Sequence, residues 1–203
     1  MPLRNRVTPF GEIIETPARG LLYGNRGVLH DEHRRLVRTW QVRRWIACLL
    51  SFQGRRRAEQ MPPGRYTGLY FLDEATAFAA GHRPCAECRR EDYRRFQEAW
   101  LVARPGASTL ADDMDRVLHA DRLGADRSKR RYRAALEELP DGAIITEGGA
   151  AWLVLGDQLR MWTPFGYTEV RSRREGTEVD VLTPASIVAV IAAGYRPWIH
   201  PTA

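Results

Sequence analysis

Cys85 and Cys88 stand three positions apart in AAGHRPCAECRR, residues 79–90. A C-x-x-C pair offers two sulfurs from one tight turn. Such a pair can be half of a tetrahedral metal site, a redox dithiol, or plain structural cysteine. The Gly-x-x-Pro bend ahead of Cys85 aims both sulfurs to one side, as in a metal knuckle. A helix starting near Cys88 would lower thiol pKa values and suit redox chemistry, but the pair follows helix, turn and proline, where a thioredoxin-like site would follow a strand. Zinc needs four donors. Cys48 is the third candidate, although RWIACLLSF also reads as an apolar strand with a core cysteine. The fourth is His30, with His33 and His82 as alternatives; His30 and His33, in LHDEH, have ligand-like spacing.

These residues need elements to hold them. GEIIE, GLLYG, GVLH, RLVRTWQV, RWIACLLSF and TGLYFL are short, apolar and separated by Gly, Pro or Arg clusters, which predicts strands. The Gly-Asn of YGNRG predicts a hairpin turn. Asp73 is a good N-cap for ATAFAA, and Gly81 is its stop. Tyr93, Phe96, Trp100 and Leu101 form one apolar stripe of a second helix after Cys88. ARPGASTLADD, 103–113, breaks the periodicity. Beyond it MDRVLHADRL and SKRRYRAALEEL predict helices. GAIIT, AWLVL, QLRMW and EVDVL predict strands, with Gly156-Asp157 at a hairpin. Thr183-Pro184 opens a last helix. The expected fold is α+β: a small mixed sheet with a knuckle-like turn and helices (1–103), a linker (104–113), and a second helix-plus-antiparallel-sheet unit (114–203).

Two words recur in the same order. TPFG stands at 8–11 and 163–166, and AAGHRP at 79–84 is echoed by AAGYRP at 192–197. The second unit therefore reads as a divergent, metal-free repeat, with Trp198 where the first copy has Cys85.

Charge divides unevenly. Residues 1–100 hold 18 Arg against 11 acidic residues, a net of +7, whereas the remainder is −1. Of the 31 basic residues only Lys129 is a lysine. An Arg-rich half favours a phosphate-bearing partner, with Arg55, Arg56, Arg57, Arg83, Arg89 and Arg90 as the contacts. No apolar run is long enough for a membrane span and the start lacks a signal-peptide core, so the expected compartment is the cytoplasm, with no membrane partner.

TGLYFLDEATAFAAGHRPCAEC resembles the second half of the zinc-binding module of bacterial Ada proteins, which sense and repair methylated DNA. The likeness rests on Ala80, Gly81, Arg83, Pro84, Cys85 and Cys88, with His82 at an aromatic position. It covers about twenty residues well, over 66–90, and 40–90 loosely. It implies zinc on Cys85 and Cys88, with Cys48 at the family's first upstream cysteine. Phe52 stands where the family has its second. Methyl transfer does not carry over. The expectation is thus a zinc-binding protein that faces nucleic acid, DNA before RNA, in a repair or regulatory role. Two other classes stay open: an enzyme (a Cys85/Cys88 thiol-redox protein, or a zinc-dependent hydrolase with His119 or a carboxylate as base), and a structural zinc domain that binds another protein.

Overall fold

A computed structural model of the chain describes residues 2–56 and 64–203. In RNRV, Asn5 and Val7 turn inward while Arg4 turns out, so even this polar run forms a strand, β1 (Arg4–Val7). It is followed by β2 (Ile13–Glu15), β3 (Leu22–Asn25), β4 (Ile46–Cys48), the two-residue pair β5 (Ser51–Phe52) and β6 (Arg55–Arg56), and β7 (Leu69–Phe71). Helix α1 (Glu74–Ala79) leads to β8 (Arg83–Pro84), α2 (Arg90–Ala103) and α3 (Ala111–Arg122). Strands β9 (Tyr132–Ala135), β10 (Ile144–Glu147), β11 (Ala150–Leu155), β12 (Gln158–Thr163), β13 (Gly166–Ser172) and β14 (Glu178–Val181) precede α4 (Ala185–Ala192).

The architecture is α+β. A six-stranded mixed sheet runs β2-β1-β7-β3-β4-β8, and a second six-stranded sheet runs β13-β12-β11-β10-β14-β9, antiparallel throughout. β1 pairs with β7, and β4 with β8, in parallel. No helix among the described residues is long and apolar enough to cross a membrane.

α1 is the hub. All six of its residues are buried, which suits a helix of mostly small side chains with no solvent face. Ala77 joins the core of the first sheet, with Leu22, Leu69 and Phe71. Ala75 and Ala79 pack with Ile144, Leu153 and Leu182 of the second. Phe78 enters a helical core with Phe96 and Trp100 of α2, Met114 and Leu118 of α3, and Ile187 and Val190 of α4. That core crosses residues 104–113, so the two expected units share one interior.

Both AAGxRP words end a helix with the same hydrogen bonds. His82 N–H donates to Ala77 and Gly81 N–H to Phe78; Tyr195 N–H donates to Val190 and Gly194 N–H to Ile191. Gly81 and Gly194 both have positive φ, 87° and 110°. This is the Schellman stop. The strands ahead of them differ in setting: β7 lies between β1 and β3, and β14 between β10 and β9.

Several local expectations are corrected. Residues 35–42 form no strand, because Val37 and Val42 are exposed and have no core to face. Gly24-Asn25 does not close a hairpin: β3 pairs with β4 across residues 26–45. The helix expected over SKRRYRAALEEL is instead the edge strand β9, bound to β14 along four positions, and a 3₁₀ turn. Leu101 leaves the α2 stripe and is exposed. Thr183 does not cap α4; its hydroxyl accepts from Ile144 N–H, and Asp121 of α3 accepts from Ser186 N–H instead.

Candidate metal centre

The parallel pairing of β4 with β8 sets Ala47 beside Pro84. Cys85 N–H then donates to the Ala47 carbonyl at 3.0 Å, so Cys85 continues the pairing beside Cys48. The chain turns through Ala86 and Glu87 into α2, and Arg89 N–H donates to the Cys85 carbonyl at 3.1 Å. That turn returns Cys88 to the same spot, where its sulfur accepts from Leu49 N–H at 3.4 Å. All three Sγ atoms lie within 4.8 Å of one another. They are free thiols, Cys48 and Cys85 buried and Cys88 half-buried. Tyr23, directly across from Cys48, and Tyr70 wall the cluster.

Protons are shared unevenly. Hydrogen bonding with Cys85, and less so with Cys88, pushes the Cys48 thiol up, with burial adding to the shift. Cys85 is held well below the usual thiol range by those sulfur hydrogen bonds, Cys48's first, and by N–H donors of Cys88 and Glu87. A tetrahedral zinc–thiolate site has Zn–S of about 2.3 Å and hence sulfurs about 3.8 Å apart. Three converging soft donors with backbone N–H support therefore fit a thiophilic metal ion such as zinc.

No histidine joins them. His30 spends both ring nitrogens elsewhere, on Thr67 Oγ1 at 3.1 Å and the Arg4 carbonyl at 3.0 Å. His82 is buried between Phe71 and Trp45, and its Nε2 accepts from Arg26. His33 is exposed beside Glu32. The group of potential ligands among the described residues is the three cysteines alone. His119 packs on Trp40 and its Nδ1 lies 2.9 Å from Arg122 Nη2, away from the cysteines' ligand group.

Two of the arginines flanking the cysteines, Arg83 and Arg89, are interior struts. Arg83 grips buried Asp115 with two bonds, of 2.9 and 2.7 Å. Buried Arg89 pairs with Glu74 at 2.7 Å and Asp92 at 2.8 Å, and lies over the Trp198 ring. Neither can reach a phosphate, because each guanidinium is consumed by buried carboxylates. Arg90 is exposed. Arg55 and Arg56 form β6 of the hairpin after β4, and Arg57 lies outside the described residues. A run of exposed arginines missed by the sequence reading comprises Arg34, Arg35, Arg38, Arg43 and Arg44. Their density in RRLVRTWQVRR was the available signal. Arg35 and Arg44 pair with carboxylates, those of partly buried Asp31 and exposed Asp112.

No protein-family model, curated protein or solved structure matches the chain.

Proposed function

We propose that the chain binds zinc through Cys48, Cys85 and Cys88 and uses an Arg-rich surface to contact nucleic acid, DNA before RNA. The convergence of three sulfurs within 4.8 Å carries the metal reading. Three protein donors leave the fourth position of a tetrahedral ion to another donor. Bound zinc would tie β4 to the turn before α2 and contribute folding free energy. The resemblance to the Ada module supports the same donors, with Phe52 in place of its fourth cysteine. The nucleic-acid reading rests on the +7 charge of residues 1–100 and on the exposed arginines of 34–44.

Metal analysis of the purified chain is expected to find about one zinc per chain, lost in Cys85→Ser and in Cys48→Ser. Unchanged zinc in Cys48→Ser would remove that residue from the site. No metal, with a readily formed Cys85–Cys88 disulfide, would favour the thiol-redox reading. Binding of a short DNA duplex should weaken steeply with salt, with a log–log slope of about −3 to −4.5 for three to five phosphate contacts. Combined Arg34→Gln, Arg38→Gln and Arg44→Gln changes should flatten it. Salt-indifferent binding would mean these arginines are a solvated face.

A further inference from the structure

The AAGHRP turn that leads to the cysteines also gathers a set of cations. Arg26 is 1% exposed, and Arg122 likewise 1%. Arg26 donates from Nη1 to the Gly11 carbonyl at 2.9 Å and from Nε to His82 Nε2 at 3.3 Å. Arg122 donates from Nη1 to the Gly81 carbonyl at 2.9 Å and from Nη2 to the Arg43 carbonyl. Lys129 Nζ donates to the Ala79 carbonyl. These partners are neutral. Among the described residues none of the three cations has a carboxylate within ion-pair distance; Asp115, whose charge reaches Arg122, is committed to Arg83.

Buried cations without counter-charges are costly. The last carbonyls of α1 offer partial negative charge, and the Trp45 ring, 4.2 Å from the Arg26 guanidinium carbon and 3.9 Å from that of Arg122, offers its π face. Neither supplies a full anion. Two donors also remain without partners: Arg26 Nη2 and Arg122 Nε are buried and unbonded. A packed interior rarely leaves such donors orphaned.

Beside them opens a cavity of about 200 Å³, lined by Arg26, Arg122, Lys129, Arg127, Trp40 and Trp45. Arg127 lies over the Trp40 ring at 4.6 Å. Glu12 lines the cavity too, but makes no ion pair with any of the four. At about 30 Å³ per water the space equals about seven waters, room for a phosphoryl group together with several atoms of its ester. Guanidinium forks match phosphate oxygens, and three or four cations suit a dianion better than a single carboxylate.

We propose that this cavity is a binding site for the phosphoryl group of a small phosphate monoester, held by Arg26, Arg122 and Lys129 within and by Arg127 at its edge. The site uses none of the thiolate donors and stands independently of the metal reading.

Inorganic phosphate titrated calorimetrically into the full chain, in chloride buffer of constant ionic strength, tests it. Saturable binding with a dissociation constant below about 1 mM is expected, weakened about tenfold in Arg122→Gln. Arg122 is interior, so exposed Arg127→Gln is the companion variant, expected to weaken binding about threefold to tenfold without loss of fold. Phosphate should also raise the melting temperature in step with its concentration. A 5′-phosphorylated trinucleotide and its 5′-hydroxyl form separate two sources of the same chemistry. Equal binding by the two, with inorganic phosphate bound, supports a free small molecule; tighter binding of the phosphorylated form supports the proposed site with a strand end as its source. Absence of saturable binding up to about 10 mM phosphate, or equal affinity in the wild type and Arg127→Gln, would overturn the proposal.

Discussion

Gly81 and Gly194 close their helices alike but carry different loads. A Cβ on Gly194 would meet nothing, whereas one on Gly81 would come 2.6 Å from Arg122 Cδ. Both positions have left-handed backbone, which costs Ala about 1 kcal/mol. Gly194→Ala should therefore lose about 1 kcal/mol, and Gly81→Ala about 3 kcal/mol because the buried Arg122 must also move. Denaturant midpoints of the two variants measure the difference. Equal losses would mean that Arg122 relaxes freely.

His119 gives a titration signature. Its pKa is lowered to about 4, first by burial and then by Arg122, Arg43 and Arg127. An unfolded histidine titrates near about 6.5, so between these values the unfolded chain binds more protons than the folded one. Stability is thus present at neutral pH and lost as the pH falls from about 6.5 towards 4. The ring is partly exposed and screened, so the slope is modest. His119→Gln should flatten the stability–pH curve in that window; an unchanged curve would place the titration elsewhere.

At the scale of elements, α1 is held from its N-terminus by two buried carboxylates. Asp73 Oδ1 caps the helix through Thr76 N–H at 2.8 Å. Its Oδ2 accepts from Tyr167 O–H at 2.9 Å and from His200 N–H at 3.0 Å. Glu74 accepts from Tyr195 O–H and Trp198 N–H. Asp73→Ala removes the cap and orphans a buried tyrosine hydroxyl. It should lose about 2 kcal/mol, since relief of the buried charge offsets part of a larger sum. A loss below about 0.5 kcal/mol in thermal or denaturant unfolding would show that these bonds do not anchor α1.

This helix was legible in the sequence because its signals are local: an N-cap, small apolar residues and a glycine stop. Cys85 and Cys88 were legible for the same reason. Residues 128–139 were not. Ala134, Ala135 and Leu136 favour a helix locally, but pairing with β14 over positions 178–181 is a long-range gain that outweighs propensity. β1 was hidden by its polarity, with two arginines among four residues. The place of Cys48 depended on the parallel β4–β8 pairing, which no spacing encodes. Arg26 and the Arg122–Lys129 stretch come from two segments far apart in the chain. The one local hint of that cluster was a lone lysine in a chain otherwise using arginine.

At the scale of the whole molecule, the shared helical core decides how the chain comes apart. Phe96 and Trp100 lie before residues 104–113, and Met114, Ile187 and Tyr195 lie after. Opening either half would expose the other's core face. Denaturant unfolding followed by tryptophan fluorescence and by far-UV circular dichroism should give one coincident transition, even though chains beyond about 150 residues often show intermediates. Two separated transitions would mean that the halves are stable apart.

The bond from Trp198 to Glu74 spans 124 positions. Translation runs at about 5–20 residues per second, so this partner of Glu74 follows it by about 6–25 s. For most of that interval Asp73 and Glu74 lack their partners Tyr167, Tyr195, Trp198 and His200, while Arg89 is already available to Glu74. Cys48, Cys85 and Cys88 have all been made by then, and so have most of the first sheet's strands. An ion arriving during synthesis would meet the sulfurs before the interior has closed around α1. The order of manufacture therefore supplies all three cysteines before the hub can be fully buried.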